Sequence, residues 1–234
     1  MTRSLVTVIL SLFLAACASK PVESVLKPTI KSIAIVPATD PASYTIQNAS
    51  GIQWVLPITS AGYALDNRAK AKLFTERLAA TKFAPGRQFT YAMAEALRSH
   101  GYSVQILENI TRTTNDPDNI DYKELSYSAD AVLHLYFSEI GFRSPPTSTN
   151  YLPRLNARGI VFVKNHPDYL YDETIYFGID ARPGKTWAIV ADEKFAYSGF
   201  DPILENLDSV KAAFSTAIRE VSMRMSGQIH AAIK

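Results

Sequence analysis

One cysteine, Cys17, is all that 234 residues contain. That excludes an intrachain disulfide framework and any multi-cysteine metal site. The chain also lacks a block of Lys and Arg. With 24 basic against 22 acidic residues, no stripe can neutralise phosphates, and nucleic-acid binding is excluded as an expectation. There is no GxxxxGK[ST] and no GxGxxG, so nucleotide binding has no motif. There is no GxSxG elbow for a serine nucleophile, and no HExxH among the four histidines. Charge itself is missing from residues 41–65, PASYTIQNASGIQWVLPITSAGYAL.

What is present is an ordinary globular composition, 47% hydrophobic and 20% charged, with ample apolar side chains for a core. Twelve Tyr, eleven Phe and two Trp lean the chain toward sheet. The first residues, MTRSLVTVILSLFLAA, place Arg3 before an apolar run from Leu5 to Ala16. Such a run is too short for a membrane span, which needs about 20 apolar residues. It has the order of a signal peptide over 1–16.

Leu14-Ala15-Ala16-Cys17 resembles the lipobox of bacterial lipoproteins. The resemblance implies a diacylglycerol on the Cys17 thiol, cleavage before Cys17 and acylation of the new amino group. Two or three acyl chains exceed what stable membrane attachment requires. Ala18, rather than Asp, resembles the sorting signal of outer-membrane lipoproteins, which implies a protein anchored there and facing the periplasm. Cleavage removes Arg3 and no acid, leaving 23 basic against 22 acidic residues.

After Cys17, residues 17–30 with two prolines read as lipidated cysteine plus tether. Residues 31–234 read as one α/β periplasmic domain with an insertion at about 41–85. KSIAIVP is a buried strand stopped by proline. DNRAKAKLFTERLAA is a helix capped by Asp66 or Asn67, with Leu65, Ala69, Leu73 and Leu78 on its apolar face. Gly86–His100 is a helix with Phe89, Met93, Ala96, Leu97 and His100 on one face and Gly101 as its stop. YSVQILE (102–107) is a strand, and DYKELSY (121–127) a short helix. ADAVLHLYF (129–137) is a strand buried on both faces. Residues 158–164, 173–179 and 186–197 form an antiparallel meander.

Asp201 and Pro202 open a last helix. Its stripe runs through Leu204, Leu207, Val210, Phe214, Ala217, Ile218, Val221, Met225 and Ile229. The expected fold is a single mixed sheet: a parallel βαβ-like first half, an antiparallel second half, and a long amphipathic C-terminal helix packed on it. KSIAIVP, GYSVQILE and ADAVLHLYF resemble the α/β domain of envelope lipoproteins. Examples are the curli-secretion lipoprotein and the N-terminal domain of the Tol-Pal propeller protein. The resemblance covers residues 31–137 outside the insertion and carries no functional residue.

Few residues point to chemistry. His134, inside an apolar strand, reads as a satisfied core histidine, and His166 in NHPD as a turn residue. Asp116, Asp118 and Asp121 miss the calcium-loop pattern and read as a polar loop, so no metal and no cofactor beyond the lipid is expected. The uncharged stretch, with Trp54, Leu56, Ile58 and Tyr63, reads either as packed on the domain or as a patch for a partner or the bilayer.

The leading expectation is a non-catalytic scaffold or accessory subunit that binds an envelope protein or complex. Two alternatives stand beside it: a subunit of an export or pore assembly using residues 41–65, and an envelope hydrolase without a recognisable motif.

Overall fold

The computed structural model describes residues 29–49, 57–113, 116, 118–164, 166 and 168–234, with the side chains of 57–61 and 63 outside the description. Cys17, Trp54 and Leu56 lie outside the described residues. Ile58 and Tyr63 fall within a helix, but their side chains lie outside them too.

A single seven-stranded mixed sheet organises the chain. β1 (Ser32–Val36) lies between β3 (Ser103–Ile106) and β4 (Ala131–Ser144), parallel to both. β4 pairs antiparallel with β5 (Leu152–Phe162), and β5 with β6 (Tyr171–Gly178). β2 (Thr45–Asn48) runs parallel to the far half of β4. β7 (Ala188–Ile189) runs parallel to β6. Four helices complete the fold: α1 (Pro57–Ala79), α2 (Pro85–Ser99), α3 (Phe200–Glu205) and α4 (Leu207–Ile233).

β1, SIAIV, is a nearly unbroken apolar run, whereas β5, LPRLNARGIVF, alternates polar and apolar residues in its first half. The first five residues of β4, Ala131 to Leu135, are all buried, as a strand covered on both faces requires. On the helical face, Phe74, Tyr44, Phe142, Phe214 and Tyr197 interlock by edge and stacked contacts at 5.3–6.0 Å between centroids. Such aromatic packing carries much of a core's burial energy. Gly159 lets α4 come down onto β5, since a Cβ there meets the Met225 sulfur.

Several expectations are corrected. The first helix starts at Pro57, so Asp66 and Asn67 are interior and cap nothing; Asp66 pairs with Lys70. Among its described side chains Phe74 and Leu78 are buried, while Leu65 and Leu73 are 66% and 42% exposed and Ala69 is exposed too. The helix's packing partners are β2 and, through Phe74, Phe142 of β4. Asn67 Oδ1 accepts from the Asn48 N–H at 2.9 Å, and Thr75 Oγ1 from the Tyr44 N–H at 3.0 Å. These side chains occupy an edge that is otherwise open to strand addition.

Part of the expected insertion is thus an integral strand. In the second half, residues 186–197 supply only the two-residue β7, parallel rather than antiparallel, and a 3-10 turn at Glu193–Phe195. The expected helix at 121–127 is a 3-10 turn, Tyr122–Glu124, capped by Asp121. The last helix breaks at Asn206 into α3 and α4, and Gly199 precedes it where Asp201 was expected to cap. Its stripe from Val210 to Ile229 is buried as expected. On α2, Phe89, Met93 and Leu97 are buried while His100 is exposed, and Gly101 ends the helix at φ +91°.

Candidate functional site

Helices cover one face of the sheet. The other face carries a small apolar cluster of Ala34, Val36, Val132, Ile160 and Phe162, closed by residues of the 107–129 connection such as Leu107, Ile120 and Tyr122. Beyond that cover the face of β5 and β6 stays open as a groove of about 820 Å³. Alternation along a strand places Arg154, Asn156 and Arg158 of β5 on this face, with Thr174 and Tyr176 opposite them on β6.

A β-bulge in β4 supplies the next member. The register steps between Phe137 and Glu139, so Tyr136 faces Arg158 while Glu139, not Ser138, faces Asn156. One extra residue has turned an acid toward the groove. Arg154 is flanked across both ladders by glycines, Gly141 and Gly178, which leaves room for its guanidinium over the sheet.

Charges here are paired. Arg154 Nε donates to Asp180 Oδ2 at 2.5 Å, and Asn156 Nδ2 donates to the same oxygen at 2.6 Å. Arg154 Nη1 lies 3.3 Å from Glu139 and donates to Gln47 Oε1 at 3.4 Å. Arg143 approaches the other Asp180 oxygen at 3.7 Å. The Arg154 and Asp180 side chains are only 13% and 15% exposed, so their attraction is poorly screened. Arg158 holds Asp172 by two bonds of 2.7 Å each, the bidentate form that fixes both groups. That hydrogen bond holds the Arg158 guanidinium more firmly charged than usual, with Tyr136 beneath it at 6.0 Å. Trp187 closes the groove and meets Tyr176 edge-on at 5.1 Å.

One atom is left over. Asn156 is 3% exposed, and its Oδ1 has no hydrogen-bond partner among the described residues. The bond from Nδ2 to Asp180 fixes the orientation of the amide, because the flipped amide would set oxygen against carboxylate.

Sequence reasoning missed these residues. The signal was Arg154-x-Asn156-x-Arg158, three polar side chains at the period of a strand. Asp180 sits past a turn and offered none.

The histidines fall elsewhere. His134 is buried under the second cluster, with Nδ1 2.8 Å from the Tyr122 hydroxyl and Nε2 without a partner among the described residues. It is a core histidine satisfied on one side only. Burial, reinforced by Arg112, pushes its pKa down to about 4. His100 and His230, far apart in sequence, stack at 4.7 Å beside Tyr102. The His166 ring bonds the Asp168 backbone within its own turn. Asp118 pairs with Arg112 and accepts from Thr39. Among the described residues no three His, Cys, Asp or Glu side chains converge as metal ligands, and no helix is long and apolar enough to cross a membrane.

No family model matches the sequence, and no curated protein matches it. Solved structures align with the chain at low identity and with TM-scores below 0.5. Protein XCC0632 from Xanthomonas campestris aligns over 88% of this chain and 86% of its own, with 10% identity and a TM-score of 0.42. Protein CT253 from Chlamydia trachomatis aligns over 86% and 99%, with 14% identity and a TM-score of 0.38. Lipoprotein GNA1162 from Neisseria meningitidis aligns over 65% and 87%, with 14% identity and a TM-score of 0.28.

Proposed function

We propose that the chain is a lipoprotein of the bacterial envelope, held in the outer membrane through Cys17, whose periplasmic domain binds an envelope component without catalysis. The observation that carries the binding reading is the open, charge-paired groove over β5 and β6. Two of its three lining carboxylates are held in ion pairs, which supports holding rather than turnover. Asp172 is taken by Arg158, and Asp180 by Arg154 and Asn156, so neither is free to act as a general acid.

The direction of the strands supports the same reading. The chain enters the fold at Thr29, beside His230 and Lys234. β1 and β6 both run away from that end, and Asp180 follows the last residue of β6. β4, fourteen residues long, spans about 45 Å. The residues from Cys17 to Thr29 reach at most about 40 Å. In the proposed anchoring the tether joins the domain at the end of the strands opposite Asp180.

The anchor is tested by Cys17→Ser. The wild-type protein is expected in the outer-membrane fraction, incorporating labelled palmitate. The variant is expected to lose the label entirely and to leave that fraction. A variant that still labels, or stays in the membrane at high salt, contradicts the reading.

A further inference from the structure

The geometry points to a ligand class for the groove: a glycan of N-acetylated hexosamines, bound through Asn156, the Arg154–Asp180 pair and the ring of Trp187. This rests on the reading of the open face as a binding surface, and it is independent of the anchor.

Charge argues first. Arg154, Arg158 and Arg182 line the groove against Asp172, Glu173 and Asp180, so donors and acceptors are present in equal charge. A strongly anionic or cationic ligand gains nothing there, whereas a neutral molecule rich in hydroxyl groups can use both kinds, each hydroxyl being donor and acceptor at once. The volume, about 820 Å³, suits a short oligomer.

Asn156 argues second. Its unpaired Oδ1 asks for a donor, and a buried acceptor without one is costly. A secondary amide N–H is a donor that brings no competing lone pair on the same atom, as in the acetamido group of an N-acetylhexosamine. The acetyl methyl and the apolar faces of the sugar ring then have Trp187 and Tyr176 to pack on. Oδ1 lies beneath the groove surface, so the ligand must displace neighbouring side chains to reach it, and moderate affinity follows.

An extended peptide fits less well. β6 is paired with β5 along its length and with β7 only at Tyr176 and Phe177, so an added strand would find only a short ladder at residues 171–175.

The test titrates the full-length lipidated protein, in detergent micelles free of sugar, with chitotetraose, following heat and the fluorescence of Trp187 in a Trp54→Phe background. Saturable binding with a Kd on the order of 0.1–1 mM is expected. Asn156→Ala and, separately, Trp187→Ala are each expected to weaken it about tenfold or more, with thermal unfolding confirming that the variant compared is folded. Because both substitutions address the same groove, either suffices if the other fails to fold. The inference is overturned by the absence of saturable binding up to about 10 mM. It is equally overturned by unchanged affinity in a folded variant, or by a Gly-Ser-Thr peptide binding as tightly as the sugar. None of these outcomes bears on palmitate labelling at Cys17, so failure here and failure of the anchor are read separately.

Discussion

Replacing Gly141 by Ala is expected to lower the unfolding temperature by about 6–12 °C, corresponding to a loss of roughly 3 kcal/mol. Two causes combine. Gly141 has φ +153°, a conformation that costs a side-chain-bearing residue about 1–3 kcal/mol by itself. A Cβ there also falls on the carbonyl of Thr45, the residue that pairs with Gly141 across the β2–β4 ladder. Relief requires β2 to move, and β2 carries Tyr44 and Ile46 into the core beside Phe74 and Phe214. Thermal unfolding by circular dichroism reads the effect. A shift under about 2 °C shows that the β2–β4 contact is softer than described.

Acid is expected to destabilise the protein through His134. The imidazole is 1% exposed, and its pKa falls from 6.5 to about 4 on folding. A histidine with a lowered folded pKa is kept neutral by the fold, so its contribution is complete above pH 6.5. As pH falls from 6.5 toward 4, the unfolded chain takes a proton that the folded chain refuses. The loss approaches about 1.4 kcal/mol per pH unit and about 3 kcal/mol in total. His134→Gln cannot titrate, while its amide can still meet the Tyr122 hydroxyl. Urea unfolding of both proteins at pH 7, 5.5 and 4 is expected to show the wild type losing about 3 kcal/mol more than the variant. Parallel pH profiles contradict a buried neutral His134. Tyr122, Tyr136 and Arg112, which surround the ring, do not titrate in that window.

Sequence and structure agree where burial is complete. Ala131–Leu135 is apolar on both faces and reads as a central strand. The α4 stripe from Val210 to Ile229 repeats with the period of a helix. Both signals come from the solvent each residue avoids, and a sequence records that directly. Agreement ends where a residue's partner is remote in the chain. β4 continues to Ser144 through SEIGFR, whose bulge breaks the alternation and so conceals the strand. α1 begins at Pro57 inside an uncharged stretch, and its buried Phe74 answers to Tyr44 and Phe142, which are remote in the chain. The groove is least legible. Arg154, Asn156 and Arg158 alternate visibly, but Glu139 arrives by a bulge and Asp180 by a turn, and neither leaves a local pattern.

In the proposed function the open face of β5 and β6, not the helical face, engages the envelope. A photoreactive benzophenone amino acid placed at Thr174, within the groove, and at Glu95, exposed on α2, tests it in living cells. Ultraviolet crosslinking is expected to shift the Thr174 protein into a discrete higher-mass adduct in the outer-membrane fraction and to leave the Glu95 protein unshifted. Adducts from Glu95 with none from Thr174 would contradict the account.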